Sequence, residues 1–145
     1  MAKVQVKRLS PRAALPTSGS AFSAGYDLYA CLEQALVIPP GGTERVPTGL
    51  SFALPEGTFG AIFARSGLAA KEGLRPANCV GVCDSDYRGE YLVALHNDSA
   101  VPRTVRHGDR IAQLVLLPFL PMEFTETETL PETERGAGGF GSTGK

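Results

Sequence analysis

Apolar positions in this chain come in short runs, and the residues between the runs are those that turn a backbone. From Val4 to Phe124 the punctuation is Pro40-Gly41-Gly42, Pro55-Glu56-Gly57, Arg88-Gly89, Asn97-Asp98-Ser99 and His107-Gly108-Asp109. That spacing predicts a β-sandwich or barrel. Val46, Thr48, Leu50, Phe52 and Leu54 alternate with Pro47, Gly49, Ser51 and Ala53, which predicts a half-buried strand with its apolar set on one face. Further strands are expected over residues 91–96 and 111–117. The second, IAQLVLL, is apolar enough to be buried on both faces or to lie at a subunit contact. One helical turn is predicted over residues 68–72, stopped by Gly73. Between residues 123 and 134 threonines are interleaved with glutamates around Pro131, as in a linker. The predicted organisation is a core over residues 1–122, an acidic linker over 123–134 and a glycine-rich tail over 135–145.

Composition agrees with an all-β reading. The chain has 145 residues, a single-domain length, with 17 glycines and 11 prolines, a turn-rich content unlike that of a helical bundle. A net charge of −1 without a basic run predicts no sequence-independent nucleic-acid binding. No apolar stretch approaches membrane-spanning length or resembles a signal peptide, so an intracellular, soluble protein of cytoplasm or nucleus is expected, without a membrane partner. Cys31, Cys79 and Cys83 lack metal-ligand spacing and are expected as reduced thiols. With only His96 and His107 as imidazoles, nucleophilic catalysis has little to draw on.

Candidate chemistry gathers in turns and in the tail. Arg135 to Lys145 reads RGAGGFGSTGK: glycines let main-chain N–H groups approach a ligand, and Arg135, Ser142 and Thr143 can donate to phosphate oxygens. The GxxxxGK within it imitates a P-loop, but no Ser or Thr follows the lysine and no helix follows to present its N-terminus. A solvated tail is the plain alternative; the lone aromatic Phe140 favours stacking on a ligand. In AGYDL (24–28), Asp27 either closes a turn or holds a divalent metal through water. In ARSGL (64–68), Arg65, Ser66 and Gly67 stand where a phosphate could be bound, or Ser66 is an N-cap. NCVGVCDSDYRGE (78–90) predicts a β-hairpin turning near residues 86–89, whose bend lets Asp84 and Tyr87 share one pocket, or else a solvated acidic turn. In GDRIAQ (108–113), Asp109 and Arg110 are expected to pair with each other, and Gln113 is a spare amide.

Taken in order, AGYDL, ARSGL, GVCDSDYRG, GDRIAQ and RGAGGFGSTG resemble the five motifs of the trimeric dUTP pyrophosphatase (dUTPase) family, across nearly the whole chain. Cys83 departs from the usual aliphatic residue. The resemblance implies a jelly-roll fold, a homotrimer with shared active sites, and Mg²⁺-dependent hydrolysis of dUTP to dUMP and pyrophosphate, which limits uracil incorporation into DNA and supplies dUMP for thymidylate synthesis. It further implies Asp84 as general base, Tyr87 under the deoxyribose, and uracil read by the main chain of Gly81, Val82 and Cys83 with Leu92 and Asn78. Phosphate contacts would come from Arg65, Ser66, Gly67 and Gln113, and from Arg135, Gly141, Ser142 and Thr143 of the tail. Phe140 would stack on the base, and Asp27 would act on Mg²⁺ indirectly, through water. A dCTP deaminase, related by fold, looks as if it needs a catalytic glutamate where this chain has Ala94. A non-enzymatic nucleotide sensor on the same fold would not need the intact Asp84, Tyr87 and tail.

Overall fold

The computed structural model describes residues 2–139. Among them, twelve strands follow one another: β1 (Gln5–Arg8), β2 (Thr17–Ser18), β3 (Tyr26–Tyr29), β4 (Leu36–Ile38), β5 (Thr43–Pro47), β6 (Leu50–Ala53), β7 (Thr58–Phe63), β8 (Leu74–Pro76), β9 (Gly81–Asp84), β10 (Leu92–Asn97), β11 (Arg103–Val105) and β12 (Arg110–Pro118). They form a five-stranded sheet in the order β2-β3-β12-β7-β9, a three-stranded sheet β5-β10-β8, and the pairs β1-β6 and β11-β4. This is the all-β jelly roll expected. The one predicted helical turn is present at Leu68–Glu72 and ends where Gly73 N–H donates to the Leu68 carbonyl. None of the described helices is long and apolar enough to cross a membrane.

The alternation of residues 46–54 is real, but it belongs to two strands. Val46, Thr48, Leu50, Phe52 and Leu54 are all buried, yet the chain bends at Gly49, where φ is +68°. A side chain there would be strained by that φ and would also meet Ala13 Cβ at 2.8 Å and Cys31 Sγ at 2.9 Å. The bend sends β5 to pair with β10 and β6 to pair with β1. A second correction concerns the expected hairpin. β9 pairs with β7, whereas β10 pairs with β5 and β8, so the GVCDSDYRGE segment crosses between sheets. The pattern of alternation reports which face of a strand is buried and is silent on its neighbour.

Leu28, Ile38, Val46, Leu50, Tyr91, Val93, Leu95 and Ile111 form the fully buried centre. Asn97, also fully buried, is satisfied: its amide donates to the Ile38 and Val101 carbonyls at 2.9 and 2.8 Å, and its oxygen accepts from Ser99. It thus builds the turn predicted at Asn97-Asp98-Ser99. On β12 the register shifts between Arg110 and Ala112. Such a bulge lets both Ile111 and Ala112 be buried and places Gln113 opposite Asp27. Beyond it Leu114 packs in the core while Val115 and Leu117 are half-buried on the opposite face.

Candidate active site

A row across three strands assembles the first part of the site. Asp27 on β3 faces Gln113 on β12, which faces Phe63 on β7, and the ARSGL loop begins at the next residue. Asp27 closes no turn. Its carboxylate accepts Arg65 Nε at 2.8 Å and Arg110 Nη1 at 3.3 Å. With side chains 24% and 19% exposed, Arg65 and Asp27 form a partly shielded pair. Because Arg65 spends Nε on the carboxylate, its plane is fixed and its Nη nitrogens remain for another anion. Arg110 does not pair with Asp109, contrary to the expectation from sequence. Asp109 Oδ2 accepts the Arg106 N–H at 2.7 Å and closes its own turn, while the bulge turns Arg110 toward β3.

Gln113 Nε2 donates to the Ala64 carbonyl at 2.9 Å and so ties β12 to the loop carrying Arg65. A side chain on Gly25 would collide with Gln113 Oε1, so the glycine of AGYDL is what allows the two strands' polar groups to sit this close. Ser66 and Gly67 are exposed. No side-chain hydrogen bond caps the helical turn, which leaves the Ser66 hydroxyl uncommitted. Beside this cluster lies a cavity of about 550 Å³ lined by Arg65, Arg106 and Arg110 together with Tyr29, Leu68 and Thr104. Glu72 and Asp109 also line it, so three guanidiniums against two carboxylates leave the lining net cationic. Sequence reading missed the Arg110 to Asp27 pairing and Arg106, since both depend on which strands become neighbours.

The second part of the site lies along the far edge of the same sheet. Gly81 faces Ile62 and Asp84 faces Phe59 on β7. β9 is the last strand of the sheet, so the main-chain groups on its outer edge have no strand to pair with among the described residues. Val82 is 65% exposed there and Leu92, at the start of β10, 43%. Asn78 Nδ2 comes close over Gly81, within 3.3 Å of where a Cβ would stand. Asp84 is exposed, and its carbonyl accepts the Tyr87 N–H at 3.2 Å, the bend foreseen from sequence. Tyr87 Oη donates to the Glu90 carbonyl at 3.2 Å, and its ring lies so tightly across Gly89 that any side chain at that position would occupy the ring's own space. Burial, and secondarily the Asp84 charge, act to raise the Cys83 thiol pKa, while Tyr91 opposes them; the net direction is upward. A protonated thiol is a poor nucleophile, and Cys83 is partly buried against the hydrophobic core.

Asp84 and Gln113 stand four residue steps apart along β7 and two strand spacings apart across the sheet, roughly 16 Å between their Cα atoms by strand geometry. One chain therefore carries a cationic cluster and a carboxylate–tyrosine edge as separate features. Arg135 sits in the turn over residues 133–138 and donates Nε to the Gly138 carbonyl at 2.9 Å. Phe140, Gly141, Ser142 and Thr143 lie outside the described residues.

The sequence matches the family model described as dUTPase over residues 11–144. The chain belongs to the dUTPase family. It is 52% identical over 143 residues to the deoxyuridine 5'-triphosphate nucleotidohydrolase of Desulfitobacterium hafniense, covering 98% of this chain and 95% of that protein. Its fold is similar to that of a mutant of the Staphylococcus bacteriophage 80alpha dUTPase solved with dUpNHpp, with a TM-score of 0.90 and 27% identity over 99% of both chains. A mutant of the dUTPase from phage phi11 of S. aureus, described for its coordination of a structural Mg(II) ion, matches with a TM-score of 0.78 at 24% identity, over 88% of this chain and 97% of that one. At that identity the second likeness speaks to fold. As a dUTPase the chain is a dUTP diphosphatase, and the two polar clusters above are where the first four of its five motifs fall.

Proposed function

We propose that this dUTPase hydrolyses dUTP to dUMP and pyrophosphate by in-line attack of water, with Asp84 as general base, Mg²⁺ on the triphosphate, and sites shared between the subunits of a homotrimer. The observation that carries the reading is the division of the motifs. Asp27, Arg65 and Gln113 cluster at one end of the five-stranded sheet, while Asp84 and Tyr87 occupy its far edge. A nucleotide whose phosphates lie on one copy's cationic cluster can place its nucleoside on another copy's β9 edge. The exposed side of that sheet favours association, because Phe59, Phe63, Val115 and Leu117 are only half-buried on it and Val82 is exposed.

Each residue then has a physical task. Main-chain donors and acceptors on the outer edge of Gly81, Val82 and Cys83, with Leu92 and Asn78, read the uracil edge. Tyr87, held flat by Gly89 and the Glu90 carbonyl, packs under the deoxyribose and leaves no room for a 2′-OH. Asp84 accepts the proton of the attacking water. Arg65, oriented by Asp27, binds phosphate oxygens with Ser66, Gly67 and Gln113. From the tail, Arg135, Gly141, Ser142 and Thr143 add donors, Phe140 covers the base, and the 123–134 linker gives the reach. Phosphoryl transfer asks for positioning and charge neutralisation above covalent chemistry.

The donor set fits a metal carried by the substrate. No group of three or more His, Cys, Asp or Glu gathers among the described residues, and Asp27 is engaged by two guanidiniums. Mg²⁺ keeps waters and binds readily through phosphate oxygens with few protein carboxylates, so Asp27 would meet it only through water. When bound, it neutralises triphosphate charge.

Pyrophosphate release from dUTP, dCTP and UTP, with and without Mg²⁺, tests the reaction; turnover limited to dUTP with Mg²⁺ is expected, and ammonia release from dCTP would overturn it. Mixing Arg65→Ala and Asp84→Asn chains tests sharing. Activity in the mixture, absent from either alone, is expected; its absence would place the whole site in one copy.

A further inference from the structure

Tyr91 carries the one buried side-chain polar atom among the described residues that has no hydrogen-bond partner. Its residue is 1% exposed, and its hydroxyl meets neither acceptor nor donor in bonding geometry, although Cys83 lies beside it. Native interiors rarely leave such an atom unmet, and an aliphatic residue could fill a core position without it. Something about the ring is therefore worth the unmet hydroxyl.

The ring's neighbours show what that is. Inward, it packs on Phe52 with centroids 4.5 Å apart at 52°. Outward, it supports Tyr87 at 6.0 Å and 33°. Its hydroxyl lies against Gly60, at an ordinary van der Waals distance of 3.5 Å from where a Cβ would stand, and Gly60 is the register partner of Cys83. Its main chain is pinned: the N–H donates to the Leu50 carbonyl at 2.8 Å, and the carbonyl accepts Thr48 Oγ1 at 2.7 Å. Tyr91 is thus a rigid plate running from the core to the underside of Tyr87, with its tip against the residue that precedes Asp84. Cys83 and Tyr91 are complementary in size. The small residue on β9 leaves room for the tip of a large one.

We infer that Tyr91 is a positioning residue for sugar discrimination: its ring, braced on Phe52 and seated against Cys83 and Gly60, sets the height of the Tyr87 ring beneath the deoxyribose. This rests on the reading of Tyr87 as the surface that excludes a 2′-OH. The ring does the bracing, so Tyr91→Phe preserves it and Tyr91→Leu removes it.

The test compares kcat/KM for dUTP and UTP in full-length Tyr91→Leu, Tyr91→Phe, Tyr87→Ala and Ile38→Ala proteins. Tyr91→Leu is expected to lower the dUTP to UTP ratio about tenfold or more, with KM for dUTP rising more than kcat falls. Tyr91→Phe keeps the ratio within about twofold and raises Tm, because the unmet hydroxyl is gone. Ile38→Ala, at a fully buried position outside this stack, lowers Tm and leaves the ratio unchanged, which separates bracing from general loss of core packing. If Tyr91→Leu does not fold, Tyr91→Leu with Cys83→Ile, which refills the vacated space, carries the same comparison. A wild-type ratio in Tyr91→Leu beside a lowered one in Tyr87→Ala overturns the inference alone. A wild-type ratio in Tyr87→Ala overturns the reading of Tyr87 and the inference with it.

Discussion

Replacing Asp27 tests whether a buried-side carboxylate organises the phosphate site. Asp27→Ala removes the acceptor for both guanidiniums, at 2.8 Å from Arg65 and 3.3 Å from Arg110. The Arg65 pair is partly shielded, so its loss is a charge-assisted hydrogen bond of about 1.5–3 kcal/mol. The Arg110 side chain is 54% exposed, and screening holds that arm to about 0.5 kcal/mol or less. Together the change costs about 2.5 kcal/mol, which for a chain of this length lowers Tm by about 8 °C. Asp27→Asn keeps a carbonyl acceptor for Arg65 and should lose about 1 kcal/mol, or about 3 °C. Turnover should fall roughly tenfold in the alanine variant, because a mobile guanidinium no longer arrives at the phosphates already oriented. Differential scanning calorimetry and pyrophosphate release read the two effects separately. Unchanged Tm and turnover in Asp27→Ala would refute the account of Asp27 as the anchor of Arg65. A shift in the Mg²⁺ concentration needed for half-activity in Asp27→Asn, without loss of stability, would instead assign Asp27 to the metal environment.

Three further outcomes are expected. Asp84→Asn should bind nucleotide yet lose about 10²- to 10⁴-fold in rate, the span of a general base; near-normal turnover would remove it from that role. Truncation after Glu134 should leave a protein with the mass of the full-length assembly and little activity, as sedimentation and a turnover assay would show, whereas full activity would sink the role given to the tail. Stability should decline in alkali. Burial raises the thiol of Cys83 and the phenol of Tyr91 above their ordinary values of 9.0 and 10.0, so the folded state holds these protons more tightly. Their contribution is complete below about pH 8.5 and is lost as pH rises past the ordinary values. Denaturant midpoints measured from pH 8 to 11 should fall, and Cys83→Ala should flatten the first part of the fall; a flat profile in the parent chain contradicts this.

What the sequence determined by itself was local. Alternation marked Val46, Leu50, Phe52 and Leu54 as buried, and Gly73 and Asn97 announced a helix stop and a turn, because burial and backbone conformation are settled within a few residues. Five short motifs pointed to the family for the same reason, each being a brief run whose residue types suit one task. Tertiary structure decided which of these pieces meet. Gly49 splits one alternating run between two sheets, and β9 leaves its expected partner for β7, since strand pairing is a contest among distant segments that no local pattern records. That contest places Asp27 against Arg65 and Arg110 in place of a turn or an Asp109–Arg110 pair, sets Gln113 against the Ala64 carbonyl, and slides Tyr91 beneath Tyr87. It also parts the cationic cluster from the Asp84 edge by two strand spacings and four residues along β7. The sequence supplies the candidate groups; their separation across one sheet, a consequence of register, is what supports the proposal that a second copy of the chain completes the site.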